Sequence, residues 1–213
     1  MYIPEHFAES RPDVLHRLMR NHPFATLVTQ SGGRLDANHV PLLFSAAPGP
    51  LGSLRGHVAR ANPVWRETPA GAEVLAIFHG PDAYISPSSY PTKAEHGRVV
   101  PTWNYAVVHA RGSFRAIDDA AWLRALVGEL TARHEAGRPA PWRVEDAPAE
   151  YIEKMLAGIV GIEIVLTGLE GKWKVSQNQP AQNRVGVTAA LRADGDAQAR
   201  AMADMVESAN KAP

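Results

Sequence analysis

The stretch Leu54-Arg55-Gly56-His57-Val58-Ala59-Arg60-Ala61-Asn62-Pro63 puts a glycine, a histidine and an arginine where an apolar, strand-like segment runs into a helix start. Asn62 suits an N-cap and Pro63 the first helical position. Helix N-termini present free backbone N–H groups and a partial positive charge, so anions bind there readily. An arginine adds a planar fork of donors that matches phosphate geometry. The stretch therefore reads as a phosphate cradle running from Arg55 to Asn62, with His57, Ala59, Arg60 and Asn62 in it. A structural turn carrying a solvated arginine fits the same local pattern. If a phosphate is held, the imidazole N–H of His57 can donate to it, and the dianion would favour the protonated ring. The other reading of His57 is a histidine at a strand end.

Two more segments carry suitable chemistry. Val100-Pro101-Thr102-Trp103-Asn104-Tyr105 offers the flat faces of Trp103 and Tyr105 beside the donors and acceptors of Thr102 and Asn104. Lys172-Trp173-Lys174-Val175-Ser176-Gln177-Asn178-Gln179 repeats the mixture of cation, aromatic ring and amide. A planar ring edged with heteroatoms needs this combination, because apolar walls bury it and a few polar groups orient it. Trp103 and Trp173 also read as half-buried core aromatics. No Gly-x-Gly-x-x-Gly occurs, so no second glycine-rich turn is present to hold a pyrophosphate.

The elements that must position these groups are mostly short strands. Ser10-Arg11-Pro12-Asp13 reads as a capping box, and Val14, Leu15, Leu18 and Met19 form one apolar helical face that stops near Asn21 and Pro23. Phe24 to Thr29 is a strand, turned at Ser31-Gly32-Gly33 into Arg34 to Phe44. Glu73 to His79 and Ala83 to Ser86 read as two further short strands, and Pro87 to Gly97 as a surface loop. Trp103 to Ile117 alternates as one strand, with Val108, Ala110, Gly112, Phe114 and Ala116 on one face. Asp118 or Asp119 can cap a helix that packs through Trp122, Leu123, Leu126, Val127 and Leu130. A second helix runs from about Asp146 and Pro148 to Leu156, and a closing hairpin is expected over Ile159 to Leu169 and Lys172 to Ser176. A terminal helix covers Ala197 to Asn210. No repeat, low-complexity segment or clean linker breaks the chain. Short strands at close spacing with a few helices indicate an α+β, mostly β domain spanning residues 1–213, a β-barrel with peripheral helices.

Taken together the segments resemble a known family. The match is carried by Met1-Tyr2-Ile3-Pro4, Pro23-Phe24-Ala25-Thr26-Leu27, Ala37-Asn38-His39-Val40-Pro41 and Leu54 to Pro63. It continues through Gly80-Pro81-Asp82-Ala83-Tyr84-Ile85-Ser86-Pro87, Val100 to Tyr105, Ile159-Val160-Gly161-Ile162-Glu163-Ile164 and Lys172 to Asn178. The chain is similar to the PaiB-like FMN-binding negative transcriptional regulators of the split-barrel flavin-binding superfamily. Ser89 departs from the pattern, standing where a bulky aromatic is expected at the pocket rim. The resemblance implies a split β-barrel, FMN as cofactor and a homodimer. It implies that Asn38, His39 and Val40 border the isoalloxazine through their backbone. It also implies that Lys172, Trp173 and Gln177 approach the flavin of a partner subunit. A flavin oxidoreductase related to the pyridoxamine-phosphate oxidases is the alternative function, since that group shares the barrel and its cofactor performs hydride chemistry.

Composition narrows the other classes. The 213 residues include no cysteine, which removes disulfides, thiolate metal sites and a cysteine nucleophile, and fits a reducing cytoplasm. No apolar run is long enough for a membrane span, and no signal peptide pattern opens the chain. Nine histidines invite a metal reading, but none falls in an HExxH pattern, so no metal is expected. Ser86, His57 and Asp82 are present without a Gly-x-Ser-x-Gly elbow to frame a nucleophile.

Lys plus Arg equal Asp plus Glu at 22 each, and no helix carries a dense basic stripe. DNA binders draw affinity from phosphate neutralisation and reach Kd values of about 10⁻⁸ to 10⁻¹¹ M. The isolated protein is therefore expected not to bind DNA tightly. Labelled DNA from the organism's own upstream region, titrated at about physiological salt with and without FMN, checks this. Nanomolar, sequence-selective binding in either state would make direct repression the better account.

Overall fold

The computed structural model describes residues 1–211. After a 3-10 turn at Glu5–Phe7 come β1 (Ala8–Glu9), α1 (Pro12–Asn21), β2 (Phe24–Ser31), β3 (Arg34–Pro41), β4 (Leu43–Ser45), β5 (Ser53–Ala59) and α2 (Val64–Glu67). Then follow β6 (Glu73–Ile85), α3 (Thr92–His96), β7 (Thr102–Ile117), α4 (Ala120–Glu135), α5 (Ala149–Ala157), β8 (Ile159–Lys174), α6 (Ala181–Asp194) and α7 (Ala197–Lys211). The strand order is β3-β2-β6-β7-β8-β5-β4, with β1 added against β8. β2 pairs antiparallel with β3 and β6, and β5 pairs antiparallel with β4 and β8. The chain is thus α+β, with helix and strand in about equal measure around a mostly antiparallel sheet of the split-barrel class.

Two compact units form along the chain. One consists of Met1–Leu18, His79–His109 and the residues from Glu170 onward; the other of Met19–Phe78 and Ala110–Leu169. We call them the terminal unit and the central unit. The central unit is cored by the inward faces of its strands, where Leu27, Leu54, Phe78, Phe114, Ile162 and Ile164 are fully buried, with Leu42 between β3 and β4 buried as well. The alternation read from the sequence produces this, because successive strand residues face opposite ways. In the same unit α4 buries Leu123, Leu126 and Leu130, and the Asp119 side chain accepts the Trp122 N–H at 2.7 Å as its N-cap. The terminal unit has its own cluster, in which Ile85, Tyr90 and Val175 pack with Val187 and Leu191 of α6 and Met202 and Val206 of α7.

The structure corrects four local expectations. β6 is one 13-residue strand, not two short ones. Gly80 does not break it: a Cβ there would come within 2.9 Å of Leu18 Cδ1 and 3.2 Å of Ala106 Cβ, so the glycine admits neighbours. β8 is likewise one 16-residue strand where a hairpin was expected. Gly171 gives close approach, since a Cβ would lie 2.7 Å from Glu9 O and would meet Leu15. The segment 87–97 holds a 3-10 turn and α3, with Tyr90 and Thr92 buried. α6 was not expected, because its apolar signal is thin: Val187 and Leu191 are buried, but Val185 is exposed.

Gly161 sets the distance between α4 and β8. A Cβ at this position would lie 2.8 Å from Trp122 Cε3 and 3.0 Å from Ile117 O. Overpacking of this kind costs about 1–3 kcal/mol. Gly161→Ala is expected to lower the thermal midpoint by roughly 2–4 °C per kcal/mol lost. A calorimetric scan of the variant checks this, and an unchanged midpoint would show that α4 yields freely.

Candidate functional site

The residues picked out by sequence fall into two groups, one in each unit. In the central unit, the structure shifts the expected cap by one residue: Pro63 stands at the N-cap of the short helix α2, and Asn62, just before it, accepts the Val64 N–H on its Oδ1 at 3.0 Å. Its Nδ2 donates to Asn38 Oδ1 at 2.7 Å, which ties the corner to β3. Val40 is buried against β5, where Gly56 could not carry a Cβ without coming within 2.9 Å of Pro41 O. His39 is exposed; its Nδ1 lies 3.2 Å from Thr26 Oγ1, and its ring centroid is 6.1 Å from that of Phe24.

Arg60 is placed differently from the free fork expected of it. Its Nε donates to Ala157 O at 2.7 Å, and Nη1 and Nη2 grip the two Asp118 oxygens at 2.7 and 2.6 Å. Nη2 also reaches Ile159 O at 3.1 Å. The pair hydrogen-bonds so closely that Asp118 is held below the ordinary carboxylate range and Arg60 above its own. Backbone donors of the supposed cradle are also taken: Arg60 N–H by Gly158 O and Asn62 N–H by Ala59 O. Arg60 thus holds the β5 corner onto the start of β8 rather than offering an empty cradle. As an exposed pair it contributes positioning more than stability.

Beside this corner lies a cavity of about 310 Å³, lined by Pro41, His57, Val127, Leu130, Thr131, His134, Glu135 and Trp142. Two buried nitrogens of β5 have no hydrogen-bond partner among the described residues, His57 Nδ1 and Arg55 Nε. The rest of the Arg55 guanidinium is held by Glu129 of α4, at 2.6 Å from Nη2. Burial alone pushes the His57 imidazole below its ordinary value, so the ring is neutral at neutral pH rather than protonated. A neutral imidazole has one donor and one acceptor nitrogen. Sequence reasoning missed the α4 contribution. The signal was present, since 127, 130, 131 and 134 follow helical spacing on one face.

In the terminal unit, Asn104 and Ser176 are both buried and joined by Asn104 Nδ2 donating to Ser176 Oγ at 2.9 Å. Gln177 folds back to bond its own strand end, accepting the Val175 N–H at 2.7 Å and donating to Trp173 O. Trp173 packs on the cluster with α6 and α7. These side chains tie the ends of β7 and β8 together and anchor them on the unit's own core. Trp103 is 55% exposed and meets the Tyr84 ring edge-on at 5.9 Å. Thr102 accepts a bond from Lys174, and Lys172 is buried with its ammonium 3.1 Å from Tyr2 O.

Comparison with known proteins gives this geometry a context. Residues 1–168 match the family described as "Putative FMN-binding domain". Protease synthase and sporulation protein PAI 2 of Bacillus subtilis is 32% identical over 97% of this chain and 97% of its own length. The chain belongs to the PaiB-like FMN-binding family. It is a flavin-binding protein, and its cofactor is FMN. An uncharacterized protein of Emericella nidulans is also 32% identical, over 97% of this chain and 96% of its length.

Among solved structures, the FAD and heme binding protein of Mycobacterium smegmatis aligns with a TM-score of 0.58 at 18% identity, over 78% of this chain and 73% of that one. A conserved hypothetical protein of Mycobacterium tuberculosis aligns at 0.57 and 12% identity, over 84% and 94%. These likenesses show the fold. Among the described residues, no helix is long and apolar enough to cross a membrane. The central unit fits FMN on one observation: two buried, unpartnered nitrogens lie on the strand whose His57 lines an open, largely apolar cavity.

Burial holds both His22 and His57 below the ordinary histidine value. The unfolded chain then binds protons more readily than the folded one, so stability is kept above about pH 6.5 and lost as pH falls below it. Urea titrations of the cofactor-free protein between pH 7 and pH 5 should show a falling midpoint. The fall should be smaller in His57→Gln; equal slopes would contradict the burial of His57.

Proposed function

We propose that one FMN per subunit lies along the β3–β5 face of the central unit, and that the protein acts as a homodimeric, flavin-dependent regulator. The observation that carries the site is the pair of unpartnered nitrogens, His57 Nδ1 and Arg55 Nε. Polar atoms buried without partners are rare in native structures, and a ligand edge is one way to satisfy them. In this reading Asn38, His39 and Val40 present backbone and ring edges to the isoalloxazine, and Trp142 and Leu130 supply apolar walls. Arg60, Asn62 and Ala59 fix the corner that brings His57 to the cavity. The FMN ring, when bound, supplies reversible electron and hydride chemistry.

The homodimer is supported by the terminal unit, where Tyr2, Tyr84, Val100 and Trp103 are all more than half exposed. Large exposed apolar side chains favour an interaction surface. A two-fold pair would bring the same surface of each copy into use twice. Trp103 is the residue we place against the second copy's flavin. The regulatory part is supported by the Bacillus subtilis relative, named for protease synthesis and sporulation. With balanced charge, regulation through a protein or small-molecule signal suits the chain better than direct DNA contact.

Denaturing release of the cofactor followed by chromatography tests the reading, together with sedimentation of the loaded protein. About one FMN per chain and a dimer at micromolar concentration are expected. Recovery of FAD alone, or a flavin-loaded monomer, would contradict the corresponding part. Turnover with NAD(P)H would shift the function to an oxidoreductase.

A further inference from the structure

In the central unit α4 ends at Glu135, and the chain re-enters the core at Val144, which packs with Leu123, Ile152 and Leu156. The residues between, 136–143, form no helix or strand and are exposed throughout. Their sequence, Ala136-Gly137-Arg138-Pro139-Ala140-Pro141-Trp142-Arg143, includes two prolines, which fix φ and supply no backbone donor. A segment like this makes little structure of its own, so the side chains that reach it decide its position. Glu135 reaches it twice: Oε1 accepts from Arg138 Nε at 3.0 Å, and Oε2 accepts the Trp142 N–H at 3.2 Å. The Arg138 N–H is also taken by Glu135 O, at 2.9 Å. At the far end the Arg143 N–H donates to Asp146 Oδ2 at 2.8 Å.

Glu135 and Trp142 both line the cavity of about 310 Å³ beside His57. The Trp142 residue is 45% exposed, so core packing does not fix it; its backbone bond to Glu135 does. An exposed ion pair such as Glu135 with Arg138 adds little to stability, so the effect of the carboxylate falls on position. Loops that gate binding sites are drawn from the weakly held parts of a fold. Here one side chain at the end of a rigid helix fastens such a loop, and the loop carries a large aromatic to the rim of a cavity.

We propose that residues 136–143 form a strap across the mouth of this cavity, with Glu135 as its clasp. Glu135 is a positioning residue: it keeps Trp142 at the rim and so sets how slowly the bound ligand leaves. The proposal rests on the proposed flavin reading and deepens it, by naming the residue that controls release from that site.

The test loads the full chain with FMN and follows its release on large dilution by flavin fluorescence, beside amide exchange of the cofactor-free protein. Glu135→Ala and Trp142→Ala should each speed release about tenfold. The double variant should be no faster than either alone, because both changes undo one unit. Glu135→Gln keeps an oxygen for the Trp142 N–H and should restore most of the slow release. The urea midpoint of cofactor-free Glu135→Ala should match that of the unaltered chain, which separates a clasp from a general support of the fold. Without FMN, Glu135→Ala should speed exchange of the Trp142 amide about fivefold. Release at the same rate from Glu135→Ala and the unaltered chain, or additive effects in the double variant, overturns the clasp and leaves FMN binding standing. If the unaltered chain holds no FMN yet Glu135→Ala frees the Trp142 amide, the flavin reading falls and the clasp stands. An unchanged Trp142 amide overturns the clasp with or without FMN.

Discussion

How closely α4 can lie on β8 governs the whole central face. Trp122 rests where Gly161 has no side chain, and only that gap lets the helix sit low over the sheet. From there the register of one helix decides the rest: Leu126 and Leu130 pack with Leu43, and Val127, Leu130, Thr131 and His134 cover the cavity beside His57. Glu129, on the same helix, reaches Arg55. A packing constraint at one glycine therefore fixes the distance between a helix face and the strand that carries the unpartnered nitrogens.

Charge serves the same end. Arg60 ties the end of β5 to Asp118 and to the carbonyls that lead into β8, while Arg115 meets the buried Glu163 with its Nε at 2.7 Å. A buried carboxylate without its partner is strongly destabilising, so Glu163 obliges β7 and β8 to stay in register. Each pair holds strands and corners around the cavity that His57 helps to line.

Much of this was legible in the sequence, and the exceptions share causes. The amphipathic faces of α1 and α4 and the alternation of β7 were readable because periodicity reports burial directly. Gly80 and Gly171 misled because glycine serves both turns and close packing, and only the neighbours, Leu18 in one case and Leu15 in the other, show which. α6 was hidden because it is fastened by polar groups as well as apolar ones: buried Asn183 accepts from the Thr92 hydroxyl at 3.0 Å. In the Gly-His-Val-Ala-Arg-Ala-Asn-Pro stretch the partner of Arg60 lies 58 residues away, and no local pattern could name Asp118.

The central claim is that FMN lies on the β3–β5 face under α4. Hydrogen–deuterium exchange of the protein with and without FMN tests this most directly. The account predicts that added FMN slows exchange in residues 34–41 and 127–135 by at least tenfold, while α6 and α7 are unaffected. Slowing confined to α6, α7 and their neighbours, with 34–41 and 127–135 unchanged, would contradict it.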